Sequence, residues 1–255
     1  MPSHSELMTA LDRYPAALEL RAAASARSAN LVQLDTWYRG SLFPVMKERM
    51  TAEENEEADP GVRMTKEELV ELMEWKLAVR PHSPSPPLSR RQLTGDNSGL
   101  QRGKWRPRLQ SLVASNSPAS VRAAVEKAAR ASTAQGALDA LCALSGVGPA
   151  TASAVLAAWD PETQPFMSDE AMDGAAAYGA GEPGGAGKRE YTVKAWRRYT
   201  EEMAERRDKE GWKSVEDLEK ALWSWAVERK YGGCLLYTSD AADDLLCVDL
   251  GGRRI

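Results

Sequence analysis

Little in this chain could bind a metal or carry redox chemistry: there are 3 cysteines and 2 histidines in 255 residues. Cys142, Cys234 and Cys247 form neither a metal-ligand spacing nor a disulfide framework, which points to a reducing intracellular compartment. His4 and His82 fall in stretches expected to lack order, with no partner for a metal or nucleophilic arrangement. No apolar run is long enough to cross a bilayer, and Met1-Pro2-Ser3-His4-Ser5-Glu6 lacks the charged and apolar regions of a secretory signal. An excess of positive charge is also missing. The net charge of -4 argues against a protein that coats nucleic acid without selectivity. Neither a cofactor nor a metal is expected.

What remains is ordinary for a globular chain with a real core: 43% hydrophobic and 27% charged residues. Alanine-rich, leucine-bearing, charge-laced segments and the lack of alternating strand patterns predict an all-α, multi-helix fold. A first helix is expected from Ser5 to Arg27, bent at Pro15, then helical stretches at Leu31 to Tyr38 and Leu42 to Arg49 around Gly40. Thr65-Lys66-Glu67-Glu68 is a capping-box signature for a helix carrying Leu69, Leu72, Met73 and Leu77. Later helices are expected at Leu109 to Ala114, from Ser117-Pro118, at Ala134 to Leu144, Ala150 to Ala158, Glu170 to Tyr178, Tyr191 to Lys209, and from Ser214.

Two stretches interrupt this pattern. Residues 79–101 are rich in proline and serine and separate Leu77-Ala78 from Arg102-Gly103, which would join smoothly without them. This insertion is read either as a retained in-frame intron or as a disordered loop, since such a composition cannot bury a core. Residues 234–255 can be back-translated to two sequencing-library adapters in the correct order, so native sequence is expected to end near Gly233. The domain reading is therefore an N-terminal helical part at 1–78, the insertion at 79–101, a second helical part at 102–233 and a non-native tail at 234–255.

The chemistry concentrates in Leu144-Ser145-Gly146-Val147-Gly148-Pro149-Ala150-Thr151-Ala152. It reads as helix, two-glycine hairpin, helix, with Pro149 suited to the first turn of the second helix. Such a turn presents consecutive N–H groups at a helix N-terminus, where they can hold a backbone phosphate. A Gly-x-Gly between helices also serves simply as a tight connection. Basic clusters accompany it: Arg102, Lys104, Arg106 and Arg108 around Trp105, and Lys194, Arg197 and Arg198 around Trp196. These read either as phosphate contacts or as solvated faces over core tryptophans. Trp212, Trp223 and Trp225 are expected in the core rather than stacked on bases. Gly184-Gly185-Ala186-Gly187-Lys188 fails as a nucleotide-binding loop, because Glu182 and Arg189 stand where Gly and Ser or Thr are required.

The pattern Leu-x-Gly-Val-Gly-x-x-Thr-Ala, followed by Phe166-Met167-Ser168-Asp169, resembles the helix-hairpin-helix DNA glycosylases. In that family an essential aspartate opens a helix after the hairpin, at about the interval separating Gly146 from Asp169. Leu34-Asp35-Thr36-Trp37-Tyr38, Met73-Glu74-Trp75-Lys76-Leu77 and Arg102-Gly103-Lys104-Trp105-Arg106-Pro107-Arg108 are similar to the eukaryotic Amun group, described as nuclear with a glycosylase-like domain. The resemblance implies a multi-helix glycosylase-like fold and a nuclear location. DNA would be the partner, with chromatin or nuclear proteins as further ones. It also implies that Gly146, Val147 and Gly148, with Lys104 and Arg106, hold the DNA backbone while Asp169 faces the sugar for monofunctional base excision.

Two departures bear on that reading. Bifunctional members carry a lysine where this chain has Ala150, which disfavours a lyase route. Members also place a basic residue soon after the aspartate, whereas Glu170 and Asp173 add negative charge. Ser168-Asp169-Glu170 is in addition an ordinary helix start. A non-catalytic DNA- or chromatin-binding module and a helical protein-interaction scaffold therefore stand beside the enzyme reading.

Overall fold

The computed structural model describes residues 2–51, 63–80, 109–179 and 190–243. Twelve α-helices are named among the described residues, and no strand occurs there. They are α1 (His4–Asp12), α2 (Tyr14–Ala23), α3 (Leu31–Asp35), α4 (Phe43–Thr51), α5 (Lys66–Val79), α6 (Leu109–Ala114), α7 (Pro118–Ala129), α8 (Ala134–Cys142), α9 (Pro149–Trp159), α10 (Asp169–Gly179), α11 (Val193–Glu210) and α12 (Val215–Asp243). The chain is all-α over these residues, as its composition predicts.

Local chemistry explains most of the starts. Thr65 and Glu68 exchange hydrogen bonds as a full capping box on α5, and Ser3 with Glu6 does the same on α1. Side-chain oxygens of Ser117, Thr133 and Thr192 cap α7, α8 and α11, while Pro118 and Pro149 stand in the first turns of α7 and α9. At its far end α11 stops at Gly211, whose φ of 73° is the left-handed conformation that closes a helix.

Two expectations change. The first helix is two helices, broken at Arg13, with Pro15 in the first turn of α2 rather than at a bend. His4, expected in a disordered stretch without a partner, opens α1 and packs edge-on against Trp212 at 5.0 Å. In the helical region around Gly40 a π-helical turn, Thr36–Leu42, joins α3 to α4, and the Phe43 N–H reaches back five residues to the Tyr38 carbonyl.

The core runs through both halves of the chain. Helices α1, α2, α10 and α11 pack on α12, while α4, α5, α8 and α11 pack on α9. Helix α9 is buried on every side, from Ala150 to Ala158. Trp75 of α5 stacks on Tyr38 at 3.7 Å and leans on Phe166 at 4.9 Å, and the Tyr38 hydroxyl donates to the Ala154 carbonyl at 2.6 Å. Trp212 and Trp223 are buried and Trp225 is partly buried, so these three pack as expected. Trp196 is buried too, beneath the exposed Lys194, Arg197 and Arg198.

A buried polar network ties the halves together at Arg39. Its guanidinium meets Asp35 at 3.3 Å, Glu216 at 3.0 Å and Glu219 at 2.9 Å. Asp35 also accepts from the Tyr14 hydroxyl and the Trp75 indole. Burial pushes the Glu219 carboxyl up from its ordinary value, against the pull of Arg39. Burial also opposes ionisation of Glu216, but Arg39 and Lys220 outweigh it and hold that carboxyl low. Paired and hydrogen-bonded, these buried charges meet the condition under which such groups are tolerated.

Candidate functional site

The hairpin is shaped from behind by α6. Gly146 has φ of 77°, and a Cβ there would lie 3.0 Å from Leu112 Cβ, Val113 Cγ2 and the Val113 backbone nitrogen. Gly148 is different: nothing lies within 4 Å of where its Cβ would be. The first glycine therefore permits close packing, and the second leaves open space at the start of α9.

The amides divide in the same way. Ser145 N–H donates to Asn116 Oδ1 at 2.9 Å, and that of Val147, a buried residue, to the Leu144 carbonyl at 3.1 Å. The N–H groups of Gly146, Gly148 and Ala150 make no hydrogen bond among the described residues. Of the proposed backbone-binding set, Gly146, Val147 and Gly148 are thus placed together at the mouth of α9. Lys104 and Arg106 lie outside the described residues, as do His82, the Gly184–Lys188 stretch, and the 79–101 insertion apart from Val79 and Arg80. Helix α12 runs from Val215 to Asp243, past Gly233.

Asp169 is positioned by three clamps. The Met167 N–H donates to Ser153 Oγ of α9 at 3.1 Å, fixing the chain that leads in. Ser168 caps α10 by accepting from the Ala171 N–H at 3.1 Å, and its hydroxyl donates to Glu219 at 3.2 Å. Asp169 itself is buried, 8% exposed. The Tyr191 hydroxyl donates to one of its carboxylate oxygens, and Arg80 Nε lies 3.7 Å from the other.

Helix α5 links this carboxylate to the hairpin. Lys76 Nζ donates to Thr151 Oγ1 at 2.7 Å, in the first turn of α9. Arg80, four residues after Lys76, is the extended residue that caps α5. A basic side chain of α5 and that of the residue capping it thus reach the starts of α9 and α10. Sequence reasoning missed Lys76, Arg80, Tyr191 and Glu219. The i, i+4 spacing of Lys76 and Arg80 was a readable signal, but the partner helices were not.

The electrostatics are unusual in two places. Burial lowers the Lys76 ammonium to about 8, helped by the like charge of Arg80 and opposed by Asp169. Burial raises the Glu170 carboxyl to about 7, against attraction from Arg21 and Lys230. Both Glu170 oxygens are buried without a hydrogen-bond partner among the described residues. The extra negative charge expected from Glu170 is therefore partly neutralised by protonation, while Asp173 is exposed. Cys142 stays a thiol, pushed by burial up to about 11. Among the described residues no group of three or more His, Cys, Asp or Glu could hold a metal ion, and no helix is long and apolar enough to cross a membrane.

Comparison of the chain with known protein families, with curated proteins and with solved structures finds no match.

Proposed function

We propose that this is a nuclear DNA-binding protein of the helix-hairpin-helix, DNA-glycosylase-like type, with Asp169 as the carboxylate for monofunctional base excision. One observation carries the reading: Lys76 of α5 and Arg80, the residue that caps it, reach the first turn of the helix after the hairpin and the buried Asp169. A phosphate held at the mouth of α9 and a sugar near Asp169 would then belong to one strand.

The chemistry follows from that placement. Cleaving the bond between base and sugar requires the nucleotide to leave the stack and builds positive charge on the sugar. A carboxylate held by Tyr191 and Arg80 is fixed before that charge appears, and it stabilises the charge without reorganising or activates water. The N–H groups of Gly146, Gly148 and Ala150, unengaged among the described residues, suit a phosphate oxygen. The cations that the sequence lacks after Asp169 are Lys76 of α5 and its C-cap Arg80 instead.

The test measures duplex binding and abasic-site formation by the full chain on duplexes each carrying one modified base. Asp169→Asn is expected to abolish base release with binding retained, and Gly148→Ala to weaken binding. Binding without release on any substrate would reduce the protein to a binding module. Absence of salt-sensitive binding would reject DNA altogether.

A further inference from the structure

We infer that the first two turns of α11 form a second anchorage for duplex DNA, in which Lys194, Arg197 and Arg198 hold backbone phosphates. The inference rests on the DNA-binding reading of the α9–α10 site and adds to it a surface separate from the hairpin.

Helix α11 has one buried side and one charged side. Trp196, Tyr199, Met203 and Arg206 are buried, at the spacing of a single helix face. Lys194, Arg197 and Arg198 are exposed in the first two turns, and the exposed acids Glu201, Glu205 and Asp208 come after them. Stability alone favours acids in the first turn, where the helix dipole is positive, yet that turn holds Lys194 and no acid. Lys194 and Arg198 are also like charges four residues apart, an unfavourable pair on a helix. None of the three cations forms an ion pair among the described residues, although the exposed Arg13, Lys47 and Arg130 do. Arg198 attracts Glu202, one turn on, without pairing with it. A surface that gathers cations against both local preferences suits an anionic partner.

This basic face starts at the candidate carboxylate. Tyr191, just before α11, donates its hydroxyl to Asp169, and the Arg80 guanidinium lies 6.0 Å from the centre of the Tyr191 ring. Thr192 caps the helix by accepting from the Ala195 N–H at 3.1 Å. From the inner side the Tyr199 hydroxyl donates to the Phe166 carbonyl at 3.4 Å. The start of α11 is therefore held against the segment that leads into Asp169, with its three cations turned outward. Exposed Glu190 and Glu201 mark the limits of the basic face.

A phosphodiester backbone fits this arrangement better than a single small anion. Lys194 and Arg198 are separated by a rise of about 6 Å along the helix, so their side chains meet successive charges of a polyanion. Each guanidinium pairs with two phosphate oxygens, and the lysine acts as a point charge. A duplex gripped here and at the mouth of α9 is held at two places. Asp169 is linked to both, through Tyr191 to α11 and through the Met167–Ser153 hydrogen bond to α9. A chain of net charge -4 thereby engages DNA through local patches rather than through its overall charge.

The test is binding of a fluorescein-labelled DNA duplex to the full chain, followed by anisotropy over a range of salt concentrations. Lys194→Gln/Arg197→Gln/Arg198→Gln should raise Kd at least tenfold at about 0.1 M salt and reduce the slope of log K against log salt by about 2–3. Lys127→Gln/Lys209→Gln/Lys213→Gln removes the same charge from exposed positions elsewhere, so it should leave the slope unchanged and Kd within about threefold. All six side chains are exposed, and far-UV circular dichroism should show both variants folded. A parent chain without salt-sensitive binding rejects the DNA reading and the anchorage with it. A parent that binds, with an α11 variant that binds equally well or two variants that weaken alike, overturns the anchorage alone. Polyglutamate bound as tightly as the duplex, and lost in the α11 variant, would assign the face to an acidic protein and overturn it too.

Discussion

Replacing each hairpin glycine by alanine should separate packing from binding. At Gly146 the backbone is left-handed, φ 77°, and the added methyl would stand 3.0 Å from the Val113 backbone nitrogen and from Leu112 Cβ. Neither atom can swing aside like the end of a flexible side chain. The left-handed conformation costs an L-residue about 1–2 kcal/mol and the forced overlap about 1–3 kcal/mol, so Gly146→Ala should lose about 2–5 kcal/mol. For a chain of this size that is a fall of about 4–20 °C in Tm. At Gly148 the backbone is extended, φ -115°, and the methyl enters empty space. Alanine caps a helix worse than glycine by several tenths of a kcal/mol, while reduced freedom in the unfolded chain returns about as much, so Gly148→Ala should lie within about 0.5 kcal/mol of the parent. Urea titration followed by far-UV circular dichroism, compared at equal m-value, reads the difference. Equal stability of the two variants would refute the claim that α6 moulds the hairpin from behind. A stable Gly148→Ala protein is also the usable probe of anion binding, since a variant at both positions would unfold for reasons unrelated to DNA.

Arg39→Leu would leave the buried Asp35 and Glu219 without their cation, an expected loss of about 3–5 kcal/mol, with at least about 1 kcal/mol recovered by adding Glu219→Leu; thermal melts of both variants check it, and no recovery would deny the coupling. Glu170 has its folded value raised to about 7 from an ordinary 4.5, so between those pH values the folded state binds more protons than the unfolded one and stability falls as pH rises. The penalty, at most about 3 kcal/mol, is complete above pH 7 and absent below 4.5. Glu170→Gln should therefore stabilise the protein at pH 8 but not at pH 4.5 in urea titrations, and a pH-independent difference would count against the assignment.

Much of the framework was readable because it is locally encoded. Thr65 with Glu68, Ser117 before Pro118, and Pro149 after Gly148 mark helix starts through hydrogen bonds and torsions that span a few residues. The carboxylate at the start of α10 was readable for the same reason. Its partners were not. Arg80 and Tyr191 meet Asp169 across stretches of sequence whose folding no local period reveals, and Lys76 reads as one more charged position until α9 closes over it. The π turn was hidden in another way: no residue pattern around Gly40 marks it, and the chain absorbs one extra residue while staying helical.

That extra residue has an evolutionary consequence. In an α-helix each residue advances the face by about 100°, so deleting one between Thr36 and Leu42 would tidy the hydrogen bonding yet turn α4 by that angle relative to α3. Met46, now fully buried, would swing out of the interior, and Tyr38 and Arg39 could no longer both keep their partners. Point substitutions at Gly40, where added atoms meet only open space, should be tolerated in descendants of this chain. Length changes through the same turn should not be.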